Sequence, residues 1–250
     1  MSDYYTTIRA AGHVIRIGAM FIETCTMLRR FAAEEAEPEI TIEMDKHDIR
    51  IEWKRMLDSG RYETDFVNRL PGYYFESFAL NRRVSDALLP YYTLAFHGSA
   101  VVVDGRCFIF SAASGTGKST YARMWAKHFG SRAYILNDDK PFLKVSENNV
   151  TVYGSPWDGK HHNGRNAEAD LAAIVFLDRA DRSFVTSVLP EQGLERIRWQ
   201  VFRPDDPEDF RKADWLLERT ARIIPFYNAG FTLKDNEIED VYRMLCPEGR

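Results

Sequence analysis

The feature that most constrains this chain is an apolar strand that runs into a glycine-rich loop and then into an amphipathic helix. The stretch "IFSAASGTGKSTYARMW" covers residues 109–125. It meets the phosphate-loop pattern G-x-x-x-x-G-K-[ST] at Gly117, Lys118 and Ser119, but starts it with Ala112 where the pattern has Gly. Because strand, loop, Lys-Ser and helix follow in the required order, the stretch predicts a phosphate-binding loop. The alternative is a plain Gly/Ser turn that opens a helix.

Each position of such a loop has a chemical task. Inward-pointing backbone amides form a nest for an anion, and the helix that follows adds its positive end. Lys118 would reach the β- and γ-phosphates, and Ser119 would place its hydroxyl on Mg²⁺. We therefore predict that the chain binds ATP and Mg²⁺. The expected nucleotide contacts in the loop are Ser114, Gly115, Thr116, Gly117, Lys118, Ser119 and Thr120.

An acidic pair, Asp138–Asp139, ends the next predicted strand, 20 and 21 residues after Lys118. Adjacent carboxylates are stable together only when metal or solvent neutralises them. One acid can hold Mg²⁺, and the other can accept the proton of an attacking hydroxyl. The pattern leaves these two roles interchangeable. We take Ser119 and Asp139 as the metal candidates and both acids as catalytic candidates, a solvated turn being the alternative.

Length and charge limit the class of protein. The 250 residues, 45% of them hydrophobic, can bury one sizeable core and a smaller lobe. A formal net charge of -4 argues against nucleic acid as a partner. We see no signal peptide and no apolar run of the ~18 residues that a membrane span needs. Three scattered cysteines suit a reducing compartment, so we expect a cytoplasmic protein without a membrane partner.

The pattern of apolar residues predicts a small β-rich N-terminal lobe over 1–90 and a phosphate-loop domain over 91–250. Asp104–Gly105 between apolar runs indicates a tight hairpin in 92–112, so the loop strand is the second arm of an antiparallel pair. The lobe is expected to contain short strands in 4–23, a β-hairpin over 40–53 around Asp45–Asp48 and a helix over 72–89. Beyond the loop we expect a helix over 119–129, a strand over 132–137, a hairpin around Asn148–Asn149, a core strand over 171–179 paired with 182–189, helices over 191–201 and 207–222, a strand within 224–233 and a helix over 235–245.

The stretches "HGSAVVVDGRCFIFSAASGTGKST" and "ILNDDKPFL" resemble the C-terminal catalytic domain of HPr kinase/phosphorylase. The loop "SGTGK" is also similar to that of ATP-dependent phosphoenolpyruvate carboxykinase. The resemblance covers residues 92–160 well and extends loosely to about 232, where the chain looks like HPr-kinase-like proteins of modified-peptide pathways. It implies an α/β fold of the HPr kinase/carboxykinase type, with a mixed sheet. It is compatible with a homo-oligomer.

The resemblance also implies site residues. The family's His before a Gly matches His97–Gly98, and His97 would assist proton movement at the acceptor serine. A lone strand histidine is otherwise most often a structural residue. The family's metal-binding Glu would fall near 151–154, where this chain has no Glu, and this departure puts the reverse, phosphorylase activity in doubt. We also find no copy of the family's basic substrate loop.

Other polar stretches are weaker candidates. The loop 154–166, "GSPWDGKHHNGRN", can act as a lid that brings a cation to the phosphates, and we select Lys160 from it. Adjacent His161 and His162 have no carboxylate at ligand spacing, so we do not predict a metal there. Arg198 and Arg203 flank "WQVF" and can contact phosphate, although an exposed helix position is the simpler reading for Arg198.

The sequence therefore predicts a kinase that transfers the γ-phosphoryl of Mg-ATP to a serine of a peptide or small protein. A small-molecule kinase of the same fold, for example one acting on free serine, is one alternative. A nucleotide-binding module without catalysis is another. The sequence fixes neither the acceptor, nor the nucleotide base, nor the oligomeric state.

Overall fold

The computed structural model describes residues 2–33, 35–113, 115–232 and 237–246. The chain forms two compact units, residues 1–88 and 89–250. The boundary expected from the sequence lies two residues further along. No helix among the described residues is long and apolar enough to cross a membrane.

The N-terminal unit combines a small sheet with four helices, so it is more helical than the β-rich lobe that we expected. Its strands follow the order β1-β2-β3, with β1 antiparallel and β3 parallel to β2. Buried Glu76 accepts hydrogen bonds from the amides of Met20 (2.5 Å) and Phe21 (3.2 Å) and so anchors the start of the first helix. The elements are β1 Tyr4–Ala10, β2 His13–Ala19, α1 Ile22–Leu28, β3 Ile40–Glu43, α2 Lys46–Asp58, α3 Thr64–Asn68 and α4 Gly72–Leu88.

The predicted hairpin over 40–53 is wrong beyond its first strand, because a helix begins at Lys46. Asp45 caps α2 by accepting from the amides of His47 and Asp48, and the Asp48 side chain accepts from the amide of Asp45 in return. This capping box starts a helix. The alternating pattern predicts a strand with Ile51 inside and Glu52 outside. In the structure Ile51 is exposed, and the charged Glu52 is buried against Arg82.

The C-terminal unit is built on a curled, mixed nine-stranded sheet. Its elements are β4 Thr93–Ala95, β5 Ser99–Val103, β6 Arg106–Ser111, α5 Lys118–Phe129, β7 Ala133–Asn137, β8 Phe142–Val145, β9 Val150–Tyr153, β10 Glu168–Arg179, β11 Phe184–Val188, α6 Pro190–Ile197, α7 Pro207–Ile223, β12 Phe226–Phe231 and α8 Ile238–Leu245. The strand order is β4-β8-β9-β10-β6-β5-β7, with β12 and β11 added beside β10. The fold is therefore mixed α/β, as predicted.

Strand β10 organises the sheet. It runs parallel to β6 on one side and, over its second half, parallel to β12 on the other. The predicted pairing of 171–179 with 182–189 is wrong, because β12 lies between β10 and β11. The carboxyl ends of β6, β10 and β12 consequently meet at one edge, the usual position of ligand sites in open α/β sheets.

Apolar side chains cover both faces of this sheet. One cluster contains Ile109, Phe176 and Phe226 with residues of α6 and α7. The other contains Phe110 and Trp125 with residues of α5 and α8. The helix that follows the loop is therefore fixed against the sheet by packing, and its first turn is held beside the end of β6.

Two predictions next to the site have different outcomes. The tight turn at Asp104–Gly105 is confirmed, since both residues have positive φ (50° and 79°) and join β5 to β6. The helix predicted over 191–201 ends at Ile197 instead. The chain then leaves the helix because Val201 pairs with Phe96 at the sheet edge.

The closing helix starts at Ile238; positions 235–236 of its predicted span lie outside the described residues.

Candidate active site

The glycine-rich loop uses two of its glycines for backbone conformations that other residues avoid. Gly115 has φ 81° and Gly117 has φ 119°. Gly117 forms the N-cap of α5, so the helix starts one residue earlier than predicted, at Lys118. Ala112, in the place of the first glycine of the pattern, has no positive φ and packs against the core. Ser114 lies outside the described residues.

Lys118 points back into its own loop. Its Nζ donates to the carbonyl oxygens of Ala112 at 2.9 Å and Ala113 at 3.4 Å. Burial lowers the pKa of this ammonium, and the charges of Asp139 and Asp138 oppose that shift. The structure therefore brings Lys118 within electrostatic reach of both acids of the predicted pair. Of the remaining loop candidates, Ser119 is half-buried and Thr120 is exposed.

Asp138 faces the start of α5. Its side chain is 1% exposed, and its Oδ1 accepts from the Ser99 hydroxyl at 2.8 Å. Hydrogen bonding by the Ser119 side chain also lowers the pKa of Asp138, and Arg123 Nη1 lies 3.9 Å from Oδ2. Burial raises the pKa of Asp138, which these partners only partly offset. We call Ser99, Ser119, Arg123 and Asp138 the inner half of the site.

Asp139 faces a different set of groups. Its side chain is 39% exposed, and Oδ1 lies 3.5 Å from His97 Nε2 and 3.2 Å from Lys140 Nζ. Burial lowers the pKa of His97 to about 4; Lys140 and Lys118 act in the same direction, and Asp139 acts against them. His97 is therefore neutral at physiological pH. We call His97, Asp139 and Lys140 the outer half of the site.

Asn137 holds the acid pair in this orientation. It is fully buried, and its Oδ1 accepts from the amides of Asp139 (2.9 Å) and Lys140 (2.7 Å). Its Nδ2 donates to Ser155 from the other side. The amide of Gly98 donates to the Asp139 carbonyl at 3.0 Å. A Cβ at Gly98 would lie 2.8 Å from a side-chain carbon of Ile109, so this approach requires glycine.

The loop 154–166 lies over the acid pair. A Cβ at Gly159 would stand 3.5 Å from the Cβ of Asp139. Lys160 follows directly and is exposed, so its predicted phosphate contact stays a prediction. Buried Asp158 holds the loop's turn by accepting from the amide of Gly164 at 2.9 Å and from His162 at 3.0 Å.

Sequence reasoning missed the residues that support the predicted ones. Ser99 could have been found because the hairpin places it opposite the end of β7, next to Asp138. Arg123 lies four residues after Ser119, on the same helix face. Asn137 precedes the acids at a strand end, where an Asn side chain commonly fixes the backbone. The missed supporting residues are Ser99, Arg123, Asn137, Lys140 and Arg179, whose Nε donates to the Thr116 carbonyl at 3.0 Å.

The arrangement fits a magnesium ion bound together with a nucleotide. Mg²⁺ takes oxygen ligands and usually combines one or two carboxylates with phosphates and water. Asp138 and Ser119 could each supply an oxygen, and no three His, Cys, Asp or Glu side chains converge in the described part of the chain. The sequence analysis takes Ser119 and Asp139 as the metal candidates. The structure instead brings Ser119 to Asp138 and His97 to Asp139.

Comparisons with known proteins add little. No protein-family model and no curated protein matches the sequence. Among solved structures, the Hpr(Ser) kinase/phosphatase from Coxiella burnetii is similar with a TM-score of 0.38 and 11% identity, over 60% of this chain and 94% of that chain. The function therefore has to be inferred from the geometry of the site.

Proposed function

We propose that this protein is a phosphotransferase that moves the γ-phosphoryl group of Mg-ATP to a serine hydroxyl of a peptide or small protein. One observation carries the proposal. The ammonium of Lys118 lies within electrostatic reach of two acids that have separate partners, Ser119 for Asp138 and His97 for Asp139. A group that could bind phosphate, a pair that could hold a metal and a pair that could accept a proton are thus close to one another.

The loop would hold the triphosphate. The amides of Gly115–Ser119 and the start of α5 attract an anion. Lys118 now bonds carbonyls of its own loop, and phosphate oxygens would replace them as acceptors. Lys160, in the loop over the acids, is the proposed second cation. Most of the acceleration would come from positioning and charge neutralisation.

The inner half would hold the metal. We assign Mg²⁺ to Asp138 and Ser119, since hydrogen bonding by Ser119 lowers the pKa of Asp138 and the two side chains therefore act on one another. Bound there, the ion would neutralise charge on the β- and γ-phosphates. The burial that raises the pKa of Asp138 marks a carboxylate that gains from a nearby cation.

The outer half would move the proton. The serine Oγ attacks the γ-phosphorus, the new O–P bond forms, and the bond to the β-phosphate oxygen breaks to release ADP. The proton of the serine hydroxyl passes to Asp139, beside which His97 lies at 3.5 Å. Neutral His97 can accept a hydrogen bond or the proton itself.

The test is transfer of ³²P from labelled ATP to a library of serine peptides and, separately, to free serine. We expect labelled peptides with the wild type and none with Lys118→Ala. Lys127→Ala, an exposed lysine on the same helix, is the matched control and should stay active. Label on free serine alone would favour a small-molecule kinase. Nucleotide binding without any labelled product would favour a non-catalytic module.

A further inference from the structure

We infer that an exposed patch formed by Trp199, Arg203 and Phe210 binds the residues that flank the acceptor serine and selects a carboxylate there. We call it the flanking patch. The inference rests on the proposed function and names the chemistry of its acceptor. It concerns the segment between α6 and α7 together with the first turns of α7.

The backbone places this segment next to the outer half of the site. Val201 pairs with Phe96 in an antiparallel bridge, and the His97 amide donates to the Gln200 carbonyl at 2.6 Å. Trp199 immediately precedes Gln200, in the turn that follows α6. An acceptor serine at His97 would therefore have its neighbours close to this segment.

The side chains of the flanking patch are arranged for an outside ligand. Trp199 is 77% exposed, the largest value among the exposed large hydrophobic residues described. The Arg203 guanidinium carbon lies 4.5 Å from the centre of the Trp199 ring and 5.8 Å from that of Phe210. Stacking on the two rings orients the guanidinium, and its remaining N–H groups can meet a carboxylate.

Acidic residues outnumber basic ones in this segment, where Asp205, Asp206, Glu208 and Asp209 follow Arg203, but one of its cations has no carboxylate partner in the described part of the chain. Arg198 is neutralised by Asp214, with N–O distances of 2.7 and 2.9 Å. Arg203 forms no ion pair with a carboxylate of the described residues; its Nη2 donates to the Arg198 carbonyl at 3.3 Å. Nearby Asp206 is engaged in capping α7. Arg203 is thus the cation of this segment that remains open to a carboxylate.

A mostly apolar groove of about 250 Å³ continues the patch and can receive a further side chain. Its apolar lining includes Val201, Phe202, Pro204, Phe210 and Leu217, and the ion pair of Arg198 with Asp214 also borders it. An extended peptide advances roughly 3.3–3.6 Å per residue. The groove and Arg203 can therefore be reached by residues within about three positions of the serine. We expect the acceptor to be an extended segment with Asp or Glu in that window.

The test is a positional library of serine-centred peptides, phosphorylated with labelled ATP. For the wild type we expect Asp or Glu within three positions of the serine to raise the rate about five- to tenfold, as charge-assisted hydrogen bonds do. Arg203→Glu should transfer the preference to Lys or Arg. Arg211→Glu, an exposed arginine on α7, is the control and should keep the wild-type preference.

A second pair of variants keeps the test independent of folding. Trp199→Ala should raise the KM for the preferred peptide about tenfold and leave the KM for ATP unchanged, since the indole is exposed. Trp215 is 46% exposed on α7, and the control variant Trp215→Ala should change neither KM. Binding of a non-hydrolysable Mg-ATP analogue is measured for all variants and should not change.

The two proposals fail in different ways. Peptide phosphorylation with the same residue preference in wild type and Arg203→Glu overturns the flanking patch but leaves the proposed function in place. A wild type that binds the Mg-ATP analogue and phosphorylates no peptide overturns both the peptide acceptor and the patch. A wild type that binds no nucleotide overturns the proposed function itself.

Discussion

The two halves of the candidate site differ sharply, although their central acids are neighbours in the chain. Asp138 has 1% of its side chain exposed and is surrounded by Ser99, Ser119 and Arg123. Asp139 is 39% exposed and faces His97 and Lys140. The comparison shows that the surroundings, and not the residue type, distinguish the two carboxylates.

The physical basis of this division is local. Asn137 binds the amides of Asp139 and Lys140 and fixes the turn in which the two acids separate. Burial makes Asp138 a carboxylate that gains from a cation. Asp139 is accessible to solvent. The predictions below test whether the two halves respond differently to the same kind of change.

The largest effect is expected from Asp138→Asn. Without the carboxylate we expect kcat to fall about 10³-fold or more, because charge neutralisation at the phosphates is lost. The same substitution at an exposed acid, Asp170→Asn, serves as the control. A kcat near the wild-type value for Asp138→Asn at saturating Mg²⁺ would contradict the proposal that Asp138 binds the metal.

The same variant should be more stable than the wild type. The raised pKa of Asp138 means that the fold favours the protonated acid, so its contribution to stability is lost as the pH rises through that pKa. Asparagine removes this cost, and we expect a gain of about 0.5–2 kcal/mol at pH 7. Urea unfolding measures it, and the gain should shrink below the ordinary Asp pKa. A loss of stability at pH 7 would contradict the account.

Asp139→Asn should affect the proton and spare the metal. We expect kcat to fall about 10²- to 10³-fold, the usual range for a lost general base. The Mg²⁺ concentration that gives half-maximal rate should stay within about twofold of the wild type. Steady-state rates over a magnesium titration measure both quantities. A large rise in the magnesium requirement would indicate that Asp139, and not Asp138, binds the metal.

Lys140→Gln should move the pH profile. In the wild type His97 has a pKa of about 4, so kcat/KM should show no fall near pH 6.5 and should decrease only as the pH drops towards 4. Removing the Lys140 charge raises the pKa of His97, and the decrease then begins at a higher pH. Rates from pH 4 to 8 test this. An unchanged profile would show that His97 protonation does not limit the reaction.

The smallest effect is expected from Ser99→Ala, which removes the 2.8 Å hydrogen bond to Asp138. The carboxylate keeps Ser119 and Arg123, so we expect about a two- to fivefold rise in the magnesium requirement with kcat nearly unchanged. Ser77→Ala, in the N-terminal unit, is the matched control. If the two serine variants have the same magnesium requirement, Ser99 does not support metal binding by Asp138.

Some of this architecture could be predicted because short-range chemistry determines it. The turn at Asp104–Gly105 and the strand before Asp138 follow from local residue types, and both are present. The helix α2 was missed because a capping box outweighed an alternating pattern, and because charged Glu52 faces inward. Local pattern carries no information on such a long-range ion pair.

The predicted site residues show the same limit. The loop and the acid pair could be selected from spacing, but the division between Asp138 and Asp139 depends on β5, which supplies Ser99 and positions His97. The pairing of β12 between β10 and β11 and the bridge from Val201 to Phe96 also join distant parts of the chain. Strand order is set by packing of whole elements, which no short stretch of sequence encodes.

The most direct test of the central claim is calorimetric titration of a non-hydrolysable ATP analogue, with and without Mg²⁺, into wild type, Asp138→Asn and Asp139→Asn. We expect Mg²⁺ to strengthen binding about tenfold or more in the wild type and in Asp139→Asn, and to have little effect in Asp138→Asn. An equal magnesium response in the two variants, or no heat with any nucleotide, would contradict the account.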